Sequence, residues 1–223
     1  MIVRLVGSEM CIRDSYSGLS WHHEILVIDN RFISERVNQL RNWNMNFLQG
    51  DILDKEMVNK NFKDADVVHH LAGITNVPRT RSESVKSHDE KILSVAKDGT
   101  KNILDAMNDN CKIIFPSTHV VYEGIDEVSK DIKEEEQTKP VLSYSKSKAI
   151  NEKQIKDSKK NYVILRLGSV YGYSTDTMRT DIMPNLFSKL SSQNGTLKLF
   201  AGGRQTKSLV PLIDVALSLI HIS

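Results

Sequence analysis

Apolar runs of strand length alternate along this chain with stretches of helical spacing. The first run, Glu24-Ile25-Leu26-Val27-Ile28-Asp29-Asn30, closes on an acid and reads as a buried parallel strand. A second, shorter one spans 46–52, and a third runs from Ala65 through His69 and His70 into the turn at Leu71-Ala72-Gly73. Lys112 to Thr118 is a fourth and Asn161 to Leu167 a fifth. Residues 34–43 carry helical spacing through Ile33, Val37 and Leu40, and residues 95–107 put Ile103, Leu104 and Met107 on one side. Another helix starts at Tyr144. Strands and helices in alternation predict an α/β fold, a parallel sheet covered on both faces. No internal repeat or low-complexity segment breaks the pattern.

The two ends stand apart from it. Glu9 to Ser15, back-translated as GAG ATG TGT ATA AGA GAC AGN, has a reverse complement that encodes Leu-Ser-Leu-Ile-His-Ile-Ser, which is residues 217–223. Such an inverted repeat resembles the transposon-end adapter used to prepare sequencing libraries, and scars of this kind fall outside fold reasoning. Residues 1–15 and 217–223 are therefore expected to be adapter-derived, and 16–216 to be an internal piece of a longer protein.

Composition then narrows the class. Of two cysteines Cys11 lies in the scar, which leaves Cys111 alone and predicts a reducing, cytoplasmic setting without a disulfide framework. No apolar run approaches the roughly 18 residues of a membrane span, so no membrane partner is expected. A formal net charge of +2 with both signs interspersed gives no electrostatic case for nucleic acid. Lys130 to Glu136 reads as a solvated charged segment. With 39% hydrophobic residues the chain suits one sizeable globular domain.

In parallel α/β sheets ligands bind at the carboxyl ends of the strands. Those ends carry Asp29, Asp51, Leu71-Ala72-Gly73, Ser117-Thr118 and Gly168-Ser169. An acid after a strand, such as Asp29, suits the ribose hydroxyls of a dinucleotide; it equally suits a helix N-cap or a loop. Thr118 could bond a substrate or merely satisfy strand-end backbone. Tyr144 and Lys148, four apart, share one helical face, and a cation beside a phenol favours the phenolate. His69 and His70 have no carboxylate or thiol partners at ligand spacing, so no metal site is expected and packing beneath a loop is the simpler role. The role of His119, next to Thr118, stays open.

Eight segments in order then resemble the extended short-chain dehydrogenase/reductases of the sugar-nucleotide epimerase/dehydratase group. They are 27–30, 50–52, 70–73, Gly99-Thr100-Lys101-Asn102 with 103–106, 115–122, 144–152, Leu165-Arg166 with 170–172, and 210–216. The resemblance implies a Rossmann-like, doubly wound parallel sheet over 16–172, made incomplete by truncation, and the start of a small substrate-binding lobe over 173–216. It implies NAD as cofactor and a nucleotide sugar as substrate, with the full-length protein a homodimer. Asp29 and Asn30 would meet the adenosine ribose, Asp51 and Ile52 the adenine, and Leu71, Ala72 and Gly73 would run past the diphosphate. Thr118 would bond the reacting hydroxyl, Tyr144 would be the general acid/base, and Lys148 would hold the nicotinamide ribose. Ser169 and Lys207 would meet the substrate diphosphate.

The departures carry as much information. The glycine-rich phosphate loop expected after the first strand is absent where the scar lies, so the chain as it stands is expected to bind NAD poorly and to be inactive. Ile2-Val3-Arg4-Leu5-Val6-Gly7 is apolar enough to act as a surrogate first strand. Ala96 stands where many members have Asn, and Lys207 where many have Arg, a point charge in place of a bidentate fork. His119-Val120 follows Thr118 in place of the Asp-Glu pair of the 4,6-dehydratases, which disfavours elimination of water. The expected function is NAD-dependent epimerisation, or simple oxidation or reduction, of a nucleotide sugar; the alternative is a dinucleotide-sensing protein of the same fold without turnover.

Overall fold

The structure is a computed structural model that describes residues 1–6, 23–75, 81–125, 131–173, 180–204 and 206–222. Two compact units divide the chain, the larger running to Arg166 and the smaller from Leu167 onward.

The larger unit is built on six strands: β1 Ile2–Val6, β2 Glu24–Asp29, β3 Asn46–Gln49, β4 Val67–His70, β5 Lys112–Thr118 and β6 Asn161–Leu167. Their order is β3-β2-β1-β4-β5-β6, with the β1–β2, β1–β4, β2–β3 and β4–β5 pairs parallel. This is the strand order of a doubly wound dinucleotide-binding sheet, whose direction reverses between β1 and β4. Ile2–Val6 thus occupies the centre. Val3 pairs with Ile25 on one side and Val67 on the other, and all three are buried.

Among the described residues four helices accompany these strands: α1 Ser34–Asn42, α2 Lys55–Phe62, α3 Lys86–Ala106 and α4 Ser143–Asp157. Side chains alternate across a strand, so each sheet face selects its helices. Leu26, Ile28, Val68, Ile113 and Phe115 face one core together with Val58 and Phe62 of α2, Ile103 and Leu104 of α3, and Ile155 of α4. The opposite parity, Ile25 and Val27, faces away from that cluster. The α1 residues Val37 and Leu40 are buried but belong to no part of it, as a right-handed β2–α1–β3 crossover requires.

One helix, α2, has no counterpart among the expected elements, and another, α3, starts earlier than its spacing predicts. In α2 only Val58 and Phe62 are buried, too few apolar positions to show a period; the local signal is Asp54, whose carboxylate accepts from the Met57 N–H at 3.0 Å as an N-cap. Helix α3 begins at Lys86, nine residues before the expected Val95, because Lys86 to Ser94 is mostly polar and turns only Ile92 into the interior.

Helix α3 approaches the sheet closely because Gly99 has no side chain. A Cβ there would lie 2.2 Å from Cδ1 of buried Ile52. Asn102, one turn on, donates to the Ile52 carbonyl at 2.9 Å. Gly73, in contrast, faces open space, with nothing within 4 Å of an added Cβ.

The smaller unit pairs β7 Ser169–Tyr171 with β8 Leu209–Pro211 in parallel and adds α5 Met183–Ser192 and α6 Leu212–Ile222. In α6 Leu212, Val215, Ala216 and Leu219 are buried at helical spacing, so the terminal segment set aside as adapter-derived continues the helix. Among the described residues no helix is long and apolar enough to cross a membrane.

Alanine normally stabilises a helix interior over glycine by about 0.5–1 kcal/mol. At position 99 overpacking, typically 1–3 kcal/mol, outweighs that gain. Urea unfolding is therefore expected to show Gly99→Ala destabilised by about 1–2 kcal/mol, with Gly73→Ala close to neutral.

Candidate active site

Because the sheet is parallel, the carboxyl ends of β3, β2, β1, β4 and β5 lie along one edge. That edge gathers Asp51, Asp29, Leu71-Ala72-Gly73 and Thr118. The Asp29 side chain is mostly buried; its Oδ1 accepts the Arg31 N–H at 2.9 Å, and the Arg31 guanidinium lies 3.9 Å away. The Asn30 carbonyl accepts from Gln49 Nε2 at 3.2 Å. Asp51 Oδ1 accepts the Leu53 N–H at 2.9 Å, so both acids hold their own turns. Ile52 turns its side chain into the core. Ala72 packs against the same core, Leu71 is half-buried and Gly73 is exposed. Residues 7–22, which follow β1 in the chain, lie outside the described residues.

At the far side of this edge Thr118 ends β5 and caps the short 3₁₀ turn His119–Tyr122, its Oγ1 accepting the Val120 N–H at 3.3 Å. Helix α4 packs beside it. The Lys148 ammonium donates to the Pro116 carbonyl at 2.8 Å and lies 4.5 Å from the Phe115 ring centre and 6.0 Å from that of Tyr144. Thr118 thus closes β5, Tyr144 and Lys148 share α4, and the lysine is fixed by β5 itself.

A buried carboxylate fixes the same two elements one turn further along. Glu152, four residues after Lys148 and eight after Tyr144, accepts from Ser117 Oγ at 2.5 Å and from Arg166 Nη2 at 2.7 Å and Nε at 3.1 Å. Burial pushes the Glu152 carboxyl up, but its bonds to Arg166 and Ser117 and the nearby positive charge outweigh this and hold it below its ordinary value. Arg166 Nη1 also donates to the Tyr122 hydroxyl and to the Glu134 carbonyl. Sequence reasoning missed Glu152 as a site residue. The available signal was Arg166 itself, a lone charge in an apolar strand that calls for a buried partner.

Beneath Lys148, His70 is fully buried against Phe115, ring centres 5.4 Å apart, with Nε2 2.8 Å from Thr100 Oγ1. Asn151, with its amide oriented to donate to the Ala96 and Ser147 carbonyls, accepts from Thr100. The threonine proton is then committed, so His70 donates from Nε2. Burial, and then the Lys148 charge, hold His70 down at about 3; burial and then Lys112 do the same for His69. Both rings are neutral packing groups, and among the described residues no three metal-ligating side chains cluster. The motif Gly99-Thr100-Lys101-Asn102 is accounted for: Gly99 permits close approach, Thr100 binds His70 and Asn102 binds Ile52, while Lys101 pairs with Asp105 on the surface.

In the smaller unit the Ser169 N–H donates to the carbonyl of Ser208, the residue after exposed Lys207, at 2.8 Å. Gly168 allows this, since a Cβ would meet the Ser208 carbonyl at 2.9 Å.

The profile of the NAD dependent epimerase/dehydratase family matches residues 4–222. The chain belongs to this family. A Methanocaldococcus jannaschii protein provisionally assigned as a UDP-glucose 4-epimerase is 31% identical over 203 residues, 87% of this chain and 64% of that protein. A dTDP-D-glucose 4,6-dehydratase of Dictyostelium discoideum is 27% identical over 213 residues, 86% of this chain and 47% of its own length. The chain thus spans about half to two thirds of these curated relatives. Among solved structures, the UDP-glucose 4-epimerase of Thermotoga maritima with UDP-glucose superposes at a TM-score of 0.80, with 21% identity, 98% of this chain and 72% of that one. The Bacillus cereus UDP-glucuronic acid 4-epimerase, with UDP-glucuronic acid and NAD, gives 0.76 at 24% identity, covering 100% and 73%. At these identities the two show that this member has the epimerase fold.

Two outcomes follow from the buried groups. Arg166→Leu strands the Glu152 carboxylate and is expected to cost about 3–5 kcal/mol in urea unfolding, with Glu152→Leu/Arg166→Leu costing less, because no charge is then left unpaired. Acid acts through two kinds of group. The unfolded histidines take up protons below their ordinary 6.5 while the folded ones stay neutral to about 3, and Glu152, depressed when folded, loses its contribution at the acid end. Stability is therefore expected to fall as pH drops from about 6.5 to 3, with a slope of up to about 1.4 kcal/mol per pH unit for each histidine.

Proposed function

We propose that Thr118, Tyr144 and Lys148 form the hydride-transfer site of an NAD-dependent nucleotide-sugar epimerase or oxidoreductase. The observation that carries this reading is the Lys148 ammonium anchored on the Pro116 carbonyl beside the Tyr144 ring, at the end of the strand that Thr118 closes. Two similar proteins bear on the substrate class: both curated relatives carry names of nucleotide-sugar enzymes.

The residues present suit the two ends of a dinucleotide. Asp29 offers a carboxylate at the end of β2 for ribose hydroxyls and would repel a 2′-phosphate, which favours NAD over NADP. Gly73 leaves the space beside β4 open, where any larger side chain would begin to fill it. Asn30, Asp51 and the backbone at Ile52 would border the adenine; Leu71, Ala72 and Gly73 would border the diphosphate. When bound, NAD supplies the hydride acceptor. The chain's own work is proton handling. Thr118 Oγ1 orients the reacting hydroxyl, the Tyr144 phenolate takes its proton, the phenol so formed returns it, and the Lys148 charge favours the phenolate between turnovers. Ser169 and Lys207 would bind the substrate diphosphate.

Epimerisation or simple oxidation fits better than dehydration, because the residues after Thr118 are His119 and Val120, and elimination needs an acid and a base at adjacent carbons. The test is hydride transfer by the full-length gene product, followed through nicotinamide absorbance with UDP- and dTDP-sugars. Tyr144→Phe is expected to lower turnover about 10²–10⁴-fold, and equal turnover would discard the assignment. For the 223-residue chain itself, which has no glycine-rich phosphate loop, isothermal titration is expected to show weak or no NAD binding. Micromolar affinity would contradict that.

A further inference from the structure

Helix α4 carries Tyr144 in its first turn, yet its own N-cap residue, Leu142, supplies no capping side chain. The first turn of a helix leaves N–H groups without intrahelical partners, and in a capping box an acid at the third helical position reaches back to the N-cap N–H. Here that third position is Ser145, whose side chain is too short for the task.

The acid comes from elsewhere. Glu123, the residue that ends the 3₁₀ turn after Thr118, places one carboxylate oxygen, Oε1, on the Leu142 N–H at 2.7 Å, on the Val141 N–H at 2.8 Å and on the Ser145 hydroxyl. Three donors on one oxygen is a strong, charge-assisted arrangement. Two backbone bonds zip the same junction: Lys139 N–H to the Val121 carbonyl at 2.8 Å, and Gly124 N–H to the Lys139 carbonyl at 2.9 Å. The contact needs glycine at 124, since a Cβ there would lie 2.6 Å from the Lys139 carbonyl. The negative charge also sits at the positive end of the helix dipole.

We infer that Glu123 is a positioning residue: a capping carboxylate, supplied from the Thr118 turn, that holds the first turn of α4 and with it Tyr144. Lys148 and Glu152 tie the middle of α4 to β5, at Pro116 and Ser117. Glu123 ties its beginning, where the phenol is. The Thr118 hydroxyl and the Tyr144 phenol are thereby referred to the same five-residue turn. The structural part of this assignment stands on the hydrogen bonds alone; its catalytic part rests on the reaction proposed above.

The test separates the two. Native-state amide exchange on the 223-residue chain is measured for wild type, Glu123→Ala and Glu123→Gln, the last keeping an acceptor oxygen of the same reach. Loss of a cap corresponds to about a 5- to 30-fold change. Glu123→Ala is expected to lower protection by that factor at Val141, Leu142 and the first turn of α4, leaving β5 and the end of α4 unchanged, and Glu123→Gln is expected to restore most of it. Unchanged protection, or a loss spread evenly over the sheet, overturns the assignment. In the full-length protein Glu123→Ala is expected to lower kcat with KM little changed and Glu123→Gln to recover kcat; a KM effect alone overturns the catalytic part. If the wild type shows no turnover, the proposed reaction falls, and the exchange result decides the cap by itself.

Discussion

A carboxylate taken out of water needs a full set of donors, and in the larger unit Glu152 imposes that demand. Its donors come from β5 through Ser117 and from β6 through Arg166, and the arginine has a further amino group to spare for Tyr122 and the Glu134 carbonyl. One anion therefore fixes two neighbouring strands, a helix and the segment that follows β5. An apolar residue of similar size would pack α4 as tightly but would not specify its rotation. Burying a paired ion contributes less to stability than to the choice of a single arrangement. That choice matters because Tyr144 and Lys148 lie on the same stripe of α4 and are aimed by whatever aims Glu152.

The opposite half of the edge is held by a different chemistry. Helix α3 is brought against the strand ends by a missing side chain at Gly99, then stitched there by Thr100 to His70 and Asn102 to Ile52. His70 in turn stacks on Phe115, above which the Lys148 ammonium rests. The wall of apolar and neutral groups under Lys148 keeps water from that side of the ammonium. The two halves therefore meet at the lysine, and neither histidine titrates in the range where a site at neutral pH would work.

The five strands from β2 to β6 were legible because each carries an apolar run, and Lys112–Thr118 and Asn161–Leu167 fall where the pattern places them, whereas the short β7 and β8 carry no such run. The places of Thr118 at the end of β5 and of Tyr144 and Lys148 on one helix were legible because a strand end and a helical spacing are local facts. Helix α2 and the start of α3 were not, since their charged exposed faces mask one or two buried positions each. Glu152 and Glu123 were hidden for another reason. Each looks like an ordinary surface acid until partners 14 to 35 residues away, or 18 to 22, are folded against it. A pattern with a period of two or 3.6 carries no information about such pairings. Only Arg166, charged inside an apolar strand, announced that one existed.

The position of β1 has a consequence for how the sheet comes together. Ile2–Val6 stands between β2 and β4, so its register joins residues 22 apart on one side and 64 apart on the other. Until that segment docks, β2–β3 and β4–β5–β6 are separate ribbons, each with an open inner edge that invites pairing with another chain. Long-range closures of this kind are slow steps in assembly. The demand made on the closing segment is also generic: a free backbone ladder on both sides and apolar side chains where Val3 sits. A segment in this place must therefore satisfy two ladders at once and carry an apolar side chain where Val3 is buried, so two registers are settled by one docking event.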